Sequence, residues 1–255
     1  MPDLDAALAR LAQTEVLLVA LDFDGTLAPL VDDPATSRAL PRSREAVLRL
    51  LDAPRTRVAL ISGRAIDSLR EVTQLPNTVL LSGSHGVEVM LDSEPELTLT
   101  DDEKQRTEAL RLALEAVAAG REGVWVEVKP AGLALHTRLA TDEVTEAATA
   151  DAIARVSAIP GLTSRRGSNV LEFSVRAADK GDAVRQLKKY SSATGVFFAG
   201  DDITDEDAFA ALSEGDVGVK CGSGSTVAEY SVSGPEEVAE VLHRLVELRG
   251  SANSG

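Results

Sequence analysis

The chain has few of the residues that build disulfide frameworks or soft-metal sites. It contains one cysteine, Cys221, which excludes an intramolecular disulfide and a thiolate zinc cluster and fits a reducing compartment. Its three histidines, His85, His136 and His243, are far apart in sequence and lack metal-ligand spacing. A structural role is therefore the default expectation for each histidine, and zinc is disfavoured.

Positive charge is also scarce. There are 26 Lys and Arg against 41 Asp and Glu, which gives a formal net charge of -15. Such a surface repels a nucleic-acid backbone and an anionic membrane, so we expect neither as a partner. An anionic small substrate would be repelled too, unless local cations, a metal ion or backbone donors overcome the field.

Long apolar runs are missing as well. No segment reaches the roughly 20 apolar residues of a membrane span, and the first residues carry Asp3 and Asp5 instead of a basic signal-peptide region. We therefore expect a soluble, cytoplasmic protein. With 44% hydrophobic and 26% charged residues, the chain predicts one large domain or a core domain with an insert. The sequence leaves the oligomeric state open, a monomer included.

Short apolar runs alternate with amphipathic stretches along most of the chain. This order predicts an α/β fold in which a doubly wound parallel sheet is buried on both faces. The predicted strands are 16–21, 58–61, 78–81, 195–199 and 216–219, and the predicted helices are 41–51, 65–75, 180–190, 205–212 and 235–248.

The middle of the chain has a different pattern. Thr100 and Glu103 form the sequence signature of a capping box, which predicts a helix to about Ala119. A hairpin, a second helix and a second strand pair follow, an α-β-β repeat typical of a small antiparallel domain. We predict a core domain at 1–100 and 179–255, with a smaller α+β cap domain inserted at 101–178.

Polar side chains follow several predicted strands, where ligands bind in open α/β sheets. Asp22 and Asp24 come after the first strand and Ser62 after the second, while Lys180 opens a helix. A further acidic cluster follows the strand at 195–199; its candidate metal ligands are Asp201, Asp202 and Asp205. Oxygen donors without His or Cys favour a hard cation, above all Mg²⁺, to which Asp22 and Asp24 would also contribute.

These residues suit phosphoryl transfer. Asp22 would attack phosphorus and form an aspartyl-phosphate, and Asp24 would act as general acid and then as general base. Ser62 and Lys180 would hold the phosphoryl oxygens. Taken singly, each cluster also has a structural explanation: Ser62 can cap a helix, Lys180 can be solvated, and the acidic run can complement a helix dipole. Their joint occurrence at strand ends favours a catalytic site.

The D-x-D-G-T, Ser, Lys and G-D-D motifs resemble the haloacid dehalogenase superfamily of Mg²⁺-dependent phosphatases. The strings at 61–64, 83–88 and 200–207 resemble trehalose-6-phosphate phosphatases in particular, and the similarity runs from about residue 17 to 245. The resemblance implies hydrolysis of trehalose 6-phosphate. It also implies substrate-binding residues in the core (Thr26, Gly63, Arg64 and His85) and in the cap domain (Glu127, Lys129, Arg138 and Glu172).

One departure from that family affects the expected specificity. Gly167-Ser168 stands where the family commonly has Gly-Lys, and Ser174-Val175 replaces a usual Arg-Pro. Other readings therefore stay open: a phosphatase for another sugar phosphate, such as sucrose 6-phosphate or glucosyl-3-phosphoglycerate, a phosphosugar mutase, or a catalytically silent sugar-phosphate sensor. A signalling receiver domain is disfavoured by the length and the insert.

Overall fold

The computed structural model describes residues 3–92 and 99–252, which form two compact units. The core unit combines Met1–Glu96 with Ala178–Gly255, and the insert unit is Leu97–Ala177. Among the described residues, no helix is long and apolar enough to cross a bilayer.

The first part of the core unit contains α1 (Leu4–Leu11), β1 (Leu17–Leu21), α2 (Pro41–Asp52), β2 (Thr56–Ile61), α3 (Ile66–Thr73), β3 (Leu80–Gly83) and β4 (Glu88–Met90). The insert unit contains α4 (Asp101–Ala118), β5 (Trp125–Lys129), β6 (Gly132–His136), α5 (Asp142–Val156), β7 (Thr163–Gly167) and β8 (Val170–Ser174). The core unit then resumes with α6 (Lys180–Ser191), β9 (Gly195–Gly200), α7 (Asp205–Ala210), β10 (Val217–Cys221), β11 (Tyr230–Val232) and α8 (Pro235–Ala252).

The core sheet has seven strands in the order β11-β10-β9-β1-β2-β3-β4. All neighbours pair in parallel except β3 and β4. The chain moves outward from β1 through β2 and β3 on one side, and through β9 and β10 on the other. The strand order therefore switches direction beside β1, the place where open α/β sheets form ligand crevices.

Strand residues of the core unit alternate between two hydrophobic layers. Val19 and Phe197 pack with helices α1, α2, α3 and α8, whereas Ala20 and Phe198 pack with α6 and α7. Successive strand side chains point to opposite faces, so helices on both faces require near-continuous apolar strands. The predicted doubly wound α/β fold is confirmed.

The insert unit has a four-stranded antiparallel sheet in the order β5-β6-β8-β7. One sheet face, including Leu135 and Phe173, packs against α4 and α5. The predicted capping box begins α4: the Thr100 hydroxyl accepts from the Glu103 amide at 3.2 Å, and the Glu103 carboxylate accepts from the Thr100 amide at 2.8 Å. The predicted α-β-β repeat is present.

Three core elements were not expected from the sequence. Helix α1 has only eight residues, and β4 and β11 have three residues each. Elements this short carry too few periods of hydrophobic alternation to stand out from loops. Strand β3 also begins two residues later than predicted and ends at Gly83, because its pairing with β2 starts at Leu80.

Candidate active site

Asp22 lies directly after the central strand β1, at the point where the strand order switches. Its backbone amide donates to the Ala199 carbonyl of β9 at 2.9 Å, which extends the β1–β9 ladder by one residue. Its side chain is buried, with 4% of the residue exposed. The sheet itself thus fixes the direction of this carboxylate.

Lys180 bridges two buried carboxylates. Its Nζ donates to Asp22 Oδ1 at 2.7 Å and to Asp205 Oδ1 at 2.6 Å, and Lys180 is 2% exposed. Lys180 is the first residue of α6, which Asp179 caps by accepting from the Asp182 amide at 2.7 Å. The start of α6 therefore places Lys180 at the end of β1, although the two segments are far apart in the sequence.

Asp201 completes a cluster of three carboxylates with Asp22 and Asp205. One oxygen from each lies within 4.8 Å of the other two. Thr26 joins the cluster, since its hydroxyl lies 3.4 Å from both Asp22 Oδ2 and Asp201 Oδ1. One ammonium against three carboxylates leaves an excess of negative charge, and the donors are all hard oxygens. This set fits a divalent cation of the Mg²⁺ type.

The excess of negative charge in the cluster affects the pKa values of its members. Burial raises the pKa of Asp22 well above its ordinary value; Lys180 offsets part of this, while Asp205 and Asp201 add to it. Burial and the charge of Asp205 also raise the pKa of Asp201. For Lys180, burial alone would lower the pKa, but the charges of Asp22 and Asp205 outweigh it and raise the pKa. A bound cation would stabilise the ionised carboxylates.

The turn after β1 requires glycine. Gly25 has φ +81°, and a Cβ there would lie 2.0 Å from Asp201 Oδ2. A side chain would thus be both strained and in collision with the acidic loop. The Gly25 carbonyl accepts from the buried thiol of Cys221 at 3.2 Å, and burial raises the pKa of that thiol to about 12. Cys221 is thus a buried residue that supports the turn after β1.

Asp24 has different partners from Asp22. Arg64 holds its carboxylate with two contacts, Nε to Oδ2 at 2.5 Å and Nη2 to Oδ1 at 2.7 Å, and the Ser37 hydroxyl donates to Oδ1 at 2.8 Å. Arg64 also lies over the Phe23 ring, with Cζ 5.9 Å from the centroid. In this structure Arg64 therefore orients Asp24, and Asp24 is outside the three-carboxylate cluster.

Ser62 follows β2, the strand beside β1, and is 2% exposed. Its hydroxyl accepts from the Arg64 amide at 3.2 Å. The carbonyl of Ser62 accepts from the His85 amide at 3.0 Å, and the His85 ring packs on Gly63, where a Cβ would lie 2.6 Å from the ring. Ser62, Gly63 and His85 therefore contact one another in the loops beside the end of β2.

The acidic residues of the loop after β9 lie in different environments. Asp202 is exposed and accepts from the Ile203 amide at 2.7 Å, while its own amide donates to Asp205 Oδ2 at 2.8 Å. Among the described residues, the carboxylate of Asp202 does not belong to the three-carboxylate cluster. Of the two predicted ligands Asp202 and Asp205, the structure brings the carboxylate of Asp205 together with those of Asp22 and Asp201.

Sequence reasoning gave no role to Lys220 or Ser37. Lys220, 5% exposed, donates from Nζ to the Asp201 carbonyl and so fixes the acidic loop. A lysine inside the apolar strand β10 was the available signal, since a buried charge requires a partner. Ser37 lies in a loop with no comparable signal.

Four further predicted residues lie in the insert unit. Lys129 and Glu172 form an ion pair at 2.5 Å, and Glu127 Oε2 lies 2.7 Å from His136 Nε2. The hydrogen bond with His136 lowers the pKa of Glu127. Arg138 is exposed in the turn after β6, two residues beyond the strand. The first three residues share one face of the insert sheet, and Arg138 does not belong to a strand.

Comparison with known proteins gives the family. The trehalose-phosphatase family model matches residues 20–240. A trehalose 6-phosphate phosphatase of Zea mays is 31% identical over 283 residues, covering 95% of this chain and 76% of the relative. A bifunctional trehalose-6-phosphate synthase/phosphatase of Thermoproteus tenax is 32% identical over 238 residues, covering 92% of this chain but 32% of the longer protein.

Solved structures show the same fold. The C-terminal domain of trehalose-6-phosphate phosphatase from C. albicans matches with TM-score 0.78 at 22% identity, covering 96% of this chain and 97% of that one. A sugar phosphatase of the HAD subclass IIB matches with TM-score 0.59 at 15% identity, covering 89% and 96%. The expected HAD-like fold is confirmed. Together with the family match, these similarities establish that the chain belongs to the trehalose-phosphatase family.

Proposed function

We propose that this protein is a Mg²⁺-dependent phosphatase that hydrolyses trehalose 6-phosphate to trehalose and phosphate. Its class, a phosphoric monoester hydrolase, follows from family membership. The observation that carries the mechanism is the group formed by buried Asp22, Lys180 and Asp205 with half-buried Asp201 at the end of the central strand. A lysine and three carboxylates at a topological switch point suit phosphoryl transfer.

Asp22, Asp201 and Asp205 would hold the cation. When bound, Mg²⁺ neutralises charge on the transferring phosphoryl group and on the carboxylates around it. The raised pKa values of Asp22 and Asp201 support this proposal, because burial and mutual repulsion disfavour their ionised forms without a further positive charge.

Asp22 is the proposed nucleophile. An oxygen of its carboxylate attacks phosphorus, and the bond between phosphorus and the sugar oxygen breaks, which leaves an aspartyl-phosphate. Lys180, whose Nζ lies 2.7 Å from Asp22 Oδ1, favours the ionised form of the attacking group and can hold a phosphoryl oxygen. The buried hydroxyl of Ser62 would hold another.

Asp24 is the proposed general acid and base. It donates a proton to the leaving sugar oxygen and then takes a proton from the water that attacks the aspartyl-phosphate. The second step releases phosphate and restores Asp22. Arg64 and Ser37 support this role by fixing the direction of the Asp24 carboxylate. We propose Arg64 chiefly as a positioning residue, although the sequence suggested direct substrate binding.

Binding of the sugar is assigned to the insert unit, with Glu127, Lys129, Arg138 and Glu172 as candidate contacts to hydroxyl groups. The ion pair of Lys129 with Glu172 and the hydrogen bond of Glu127 with His136 support a preorganised polar face. In the core unit, Thr26, Gly63 and His85 shape the surroundings of the phosphate. These residue roles rest on the resemblance together with the local geometry.

Another sugar phosphate is the second candidate substrate. Ser168, exposed in the turn between β7 and β8, stands where the related enzymes commonly carry a lysine. Loss of a cation on the insert unit would weaken contact with a sugar phosphate or shift the preference among sugars. The phosphatase chemistry would be unchanged, because the residues around Asp22 do not depend on position 168.

Phosphate release from a substrate panel tests the proposal. The panel is trehalose 6-phosphate, glucose 6-phosphate, sucrose 6-phosphate and glucosyl-3-phosphoglycerate, each with Mg²⁺ and with EDTA. We expect Mg²⁺-dependent release with strong preference for trehalose 6-phosphate. Preference for another sugar would move the specificity and keep the mechanism, whereas no release from any substrate would contradict the enzyme and favour a sensor.

A further inference from the structure

The polar face of the insert sheet carries the only tryptophan of the chain, in a protein with 3% aromatic residues. Trp125 begins the edge strand β5, and side chains alternate along a strand, so Trp125, Glu127 and Lys129 share one face. The register places Trp125 opposite His136. Leu135 and Phe173, on the other face, pack into the hydrophobic cluster with α4 and α5.

Trp125 is held in place although it is exposed. Its ring stacks on the His136 ring with centroids 4.8 Å apart and planes 6° apart. His136 Nε2 is in turn 2.7 Å from Glu127 Oε2, so the imidazole cannot turn freely. Trp125 nevertheless remains 39% exposed. An aromatic ring with a fixed orientation and a solvent-exposed portion is thus available on a polar sheet face.

The side chains around Trp125 match the chemistry of a sugar ring. A pyranose ring has an apolar C–H face, which packs on aromatic rings, and a rim of hydroxyl groups, which need charged or polar partners. Glu127, Lys129 and Glu172 supply donors and acceptors on the same sheet face as the tryptophan. A few placed polar groups around an apolar surface are typical of small-ligand sites.

We propose that Trp125, backed by His136, is a stacking platform for a pyranose ring of the substrate and so contributes to sugar specificity. The inference rests on the proposed function, since the sugar is the trehalose moiety of trehalose 6-phosphate. Trp125 is a binding residue in this role. His136 and Glu127 position it through the stacked ring and the hydrogen bond.

The single tryptophan permits a direct binding measurement. Emission of Trp125 is followed while the full wild-type chain is titrated with trehalose, and while the inactive Asp22→Asn variant with Mg²⁺ is titrated with trehalose 6-phosphate. We expect a saturable change in intensity or wavelength with both ligands and no change with inorganic phosphate. An equal change in emission with phosphate alone would overturn the proposal that Trp125 binds the sugar. So would the absence of any change in emission at ligand concentrations that inhibit or saturate turnover.

Kinetics on three variants provide the second test. Trp125→Ala should raise KM for trehalose 6-phosphate about 10-fold, equivalent to about 1.4 kcal/mol, with kcat within about 3-fold of wild type. Trp125→Phe keeps an aromatic face and should stay within about 3-fold in KM. Leu112→Ala removes a 55%-exposed apolar side chain on α4 and should leave both constants unchanged.

A purely structural role for the Trp125–His136 pair predicts a different outcome. In that case Trp125→Ala would lower the melting temperature and reduce turnover of a sugar-free substrate, acetyl phosphate, as much as turnover of trehalose 6-phosphate. We expect acetyl phosphate turnover to be unchanged. If the wild type hydrolyses acetyl phosphate but no sugar phosphate, the proposed function is wrong. If the wild type and the Trp125→Ala variant hydrolyse trehalose 6-phosphate equally well, only the stacking platform is wrong.

Discussion

The charged side chains at the central strand end of the core unit and those on the sheet face of the insert unit differ in exposure. In the core unit, Asp22, Lys180 and Asp205 are 4%, 2% and 0% exposed. In the insert unit, the side chains of Glu127 and His136 are 46% and 25% exposed. Buried charges cost several kcal/mol of desolvation each and persist where they are paired or used, whereas exposed pairs contribute about 0–1 kcal/mol.

This difference separates two tasks. The core unit keeps a fixed group of charges at the end of its central strand, where chemistry requires orientation and a low dielectric. The insert unit presents polar side chains on a sheet face, where, under the proposed function, substitutions would alter sugar recognition at little cost to folding. Four substitutions, in order of decreasing expected effect, test whether burial separates the two classes.

Asp22→Asn should have the largest effect on activity and a small effect on the fold. The amide is isosteric but a poor nucleophile, so kcat for trehalose 6-phosphate should fall at least about 10³-fold.

The same substitution has a distinct effect on stability. Burial raises the pKa of Asp22 above its ordinary value of 3.8, so the free energy of unfolding of the wild type decreases as rising pH ionises this carboxyl group. The variant should therefore melt at or above the wild-type temperature at neutral pH without Mg²⁺, and Mg²⁺ should stabilise it less than wild type. Near-wild-type kcat would refute the assignment.

Lys180→Met should disturb both stability and activity. It leaves Asp22 and Asp205 without the buried ammonium that bridges them, a change that typically costs about 3–5 kcal/mol. Urea unfolding measures the free energy, and phosphate release measures activity. Lys189→Met, on the exposed side of the same helix, is the matched control and should change stability by less than about 0.5 kcal/mol. Equal effects of the two substitutions would show that burial does not set the cost.

Arg64→Lys tests a pair of intermediate exposure, since Arg64 and Asp24 side chains are 12% and 30% exposed. Lysine keeps the charge but cannot make both contacts to Asp24, so kcat for trehalose 6-phosphate should fall about 10-fold to 100-fold. Acetyl phosphate has a better leaving group that needs no proton from Asp24, and its turnover should fall less. The exposed Arg70→Lys serves as control. An equal loss with both substrates would argue against positioning of the acid.

Glu103→Gln, in the insert unit, should have the smallest effect and a distinct pH dependence. Hydrogen bonds donated by Arg176 and by the Thr100 amide lower the pKa of Glu103 from 4.5 to about 2. The stabilisation is therefore present above about pH 4.5 and lost as pH falls toward about pH 2. Urea midpoints followed by Trp125 emission should converge for wild type and variant over that window. Exposed Glu122→Gln should show no such convergence, and a constant difference for Glu103→Gln would contradict the assignment.

Much of the fold of both units followed from pattern alone. Apolar runs such as the one ending at Leu21, followed by Asp22, predicted buried parallel strands with polar residues at their carboxyl ends. The capping box of Thr100 and Glu103 predicted the start of α4 to the residue. These signals are local, because hydrophobic period and helix capping depend on neighbours within a few positions.

Other features needed the assembled structure. The spacing of Asp22 and Asp24 suggested that both carboxylates serve one cation, yet Asp24 turns to Arg64, 40 residues further along the chain. Likewise, the sequence left Asp202 and Asp205 equivalent, and Lys180 together with the turn geometry selects Asp205. Partner choice among several carboxylates depends on side-chain direction and burial, which residue spacing does not encode.

The sequence by itself determined the fold class, the strand ends at which polar residues gather and the chemistry that aspartate, lysine and hard-oxygen donors permit, because these depend on residue type and short-range periodicity. The tertiary structure decided which carboxylates share the buried lysine, that Arg64 orients Asp24, and that Trp125 stacks on His136. Those choices arise from contacts between segments distant in sequence, where strand order, register and the cost of burying charge select one pairing among many.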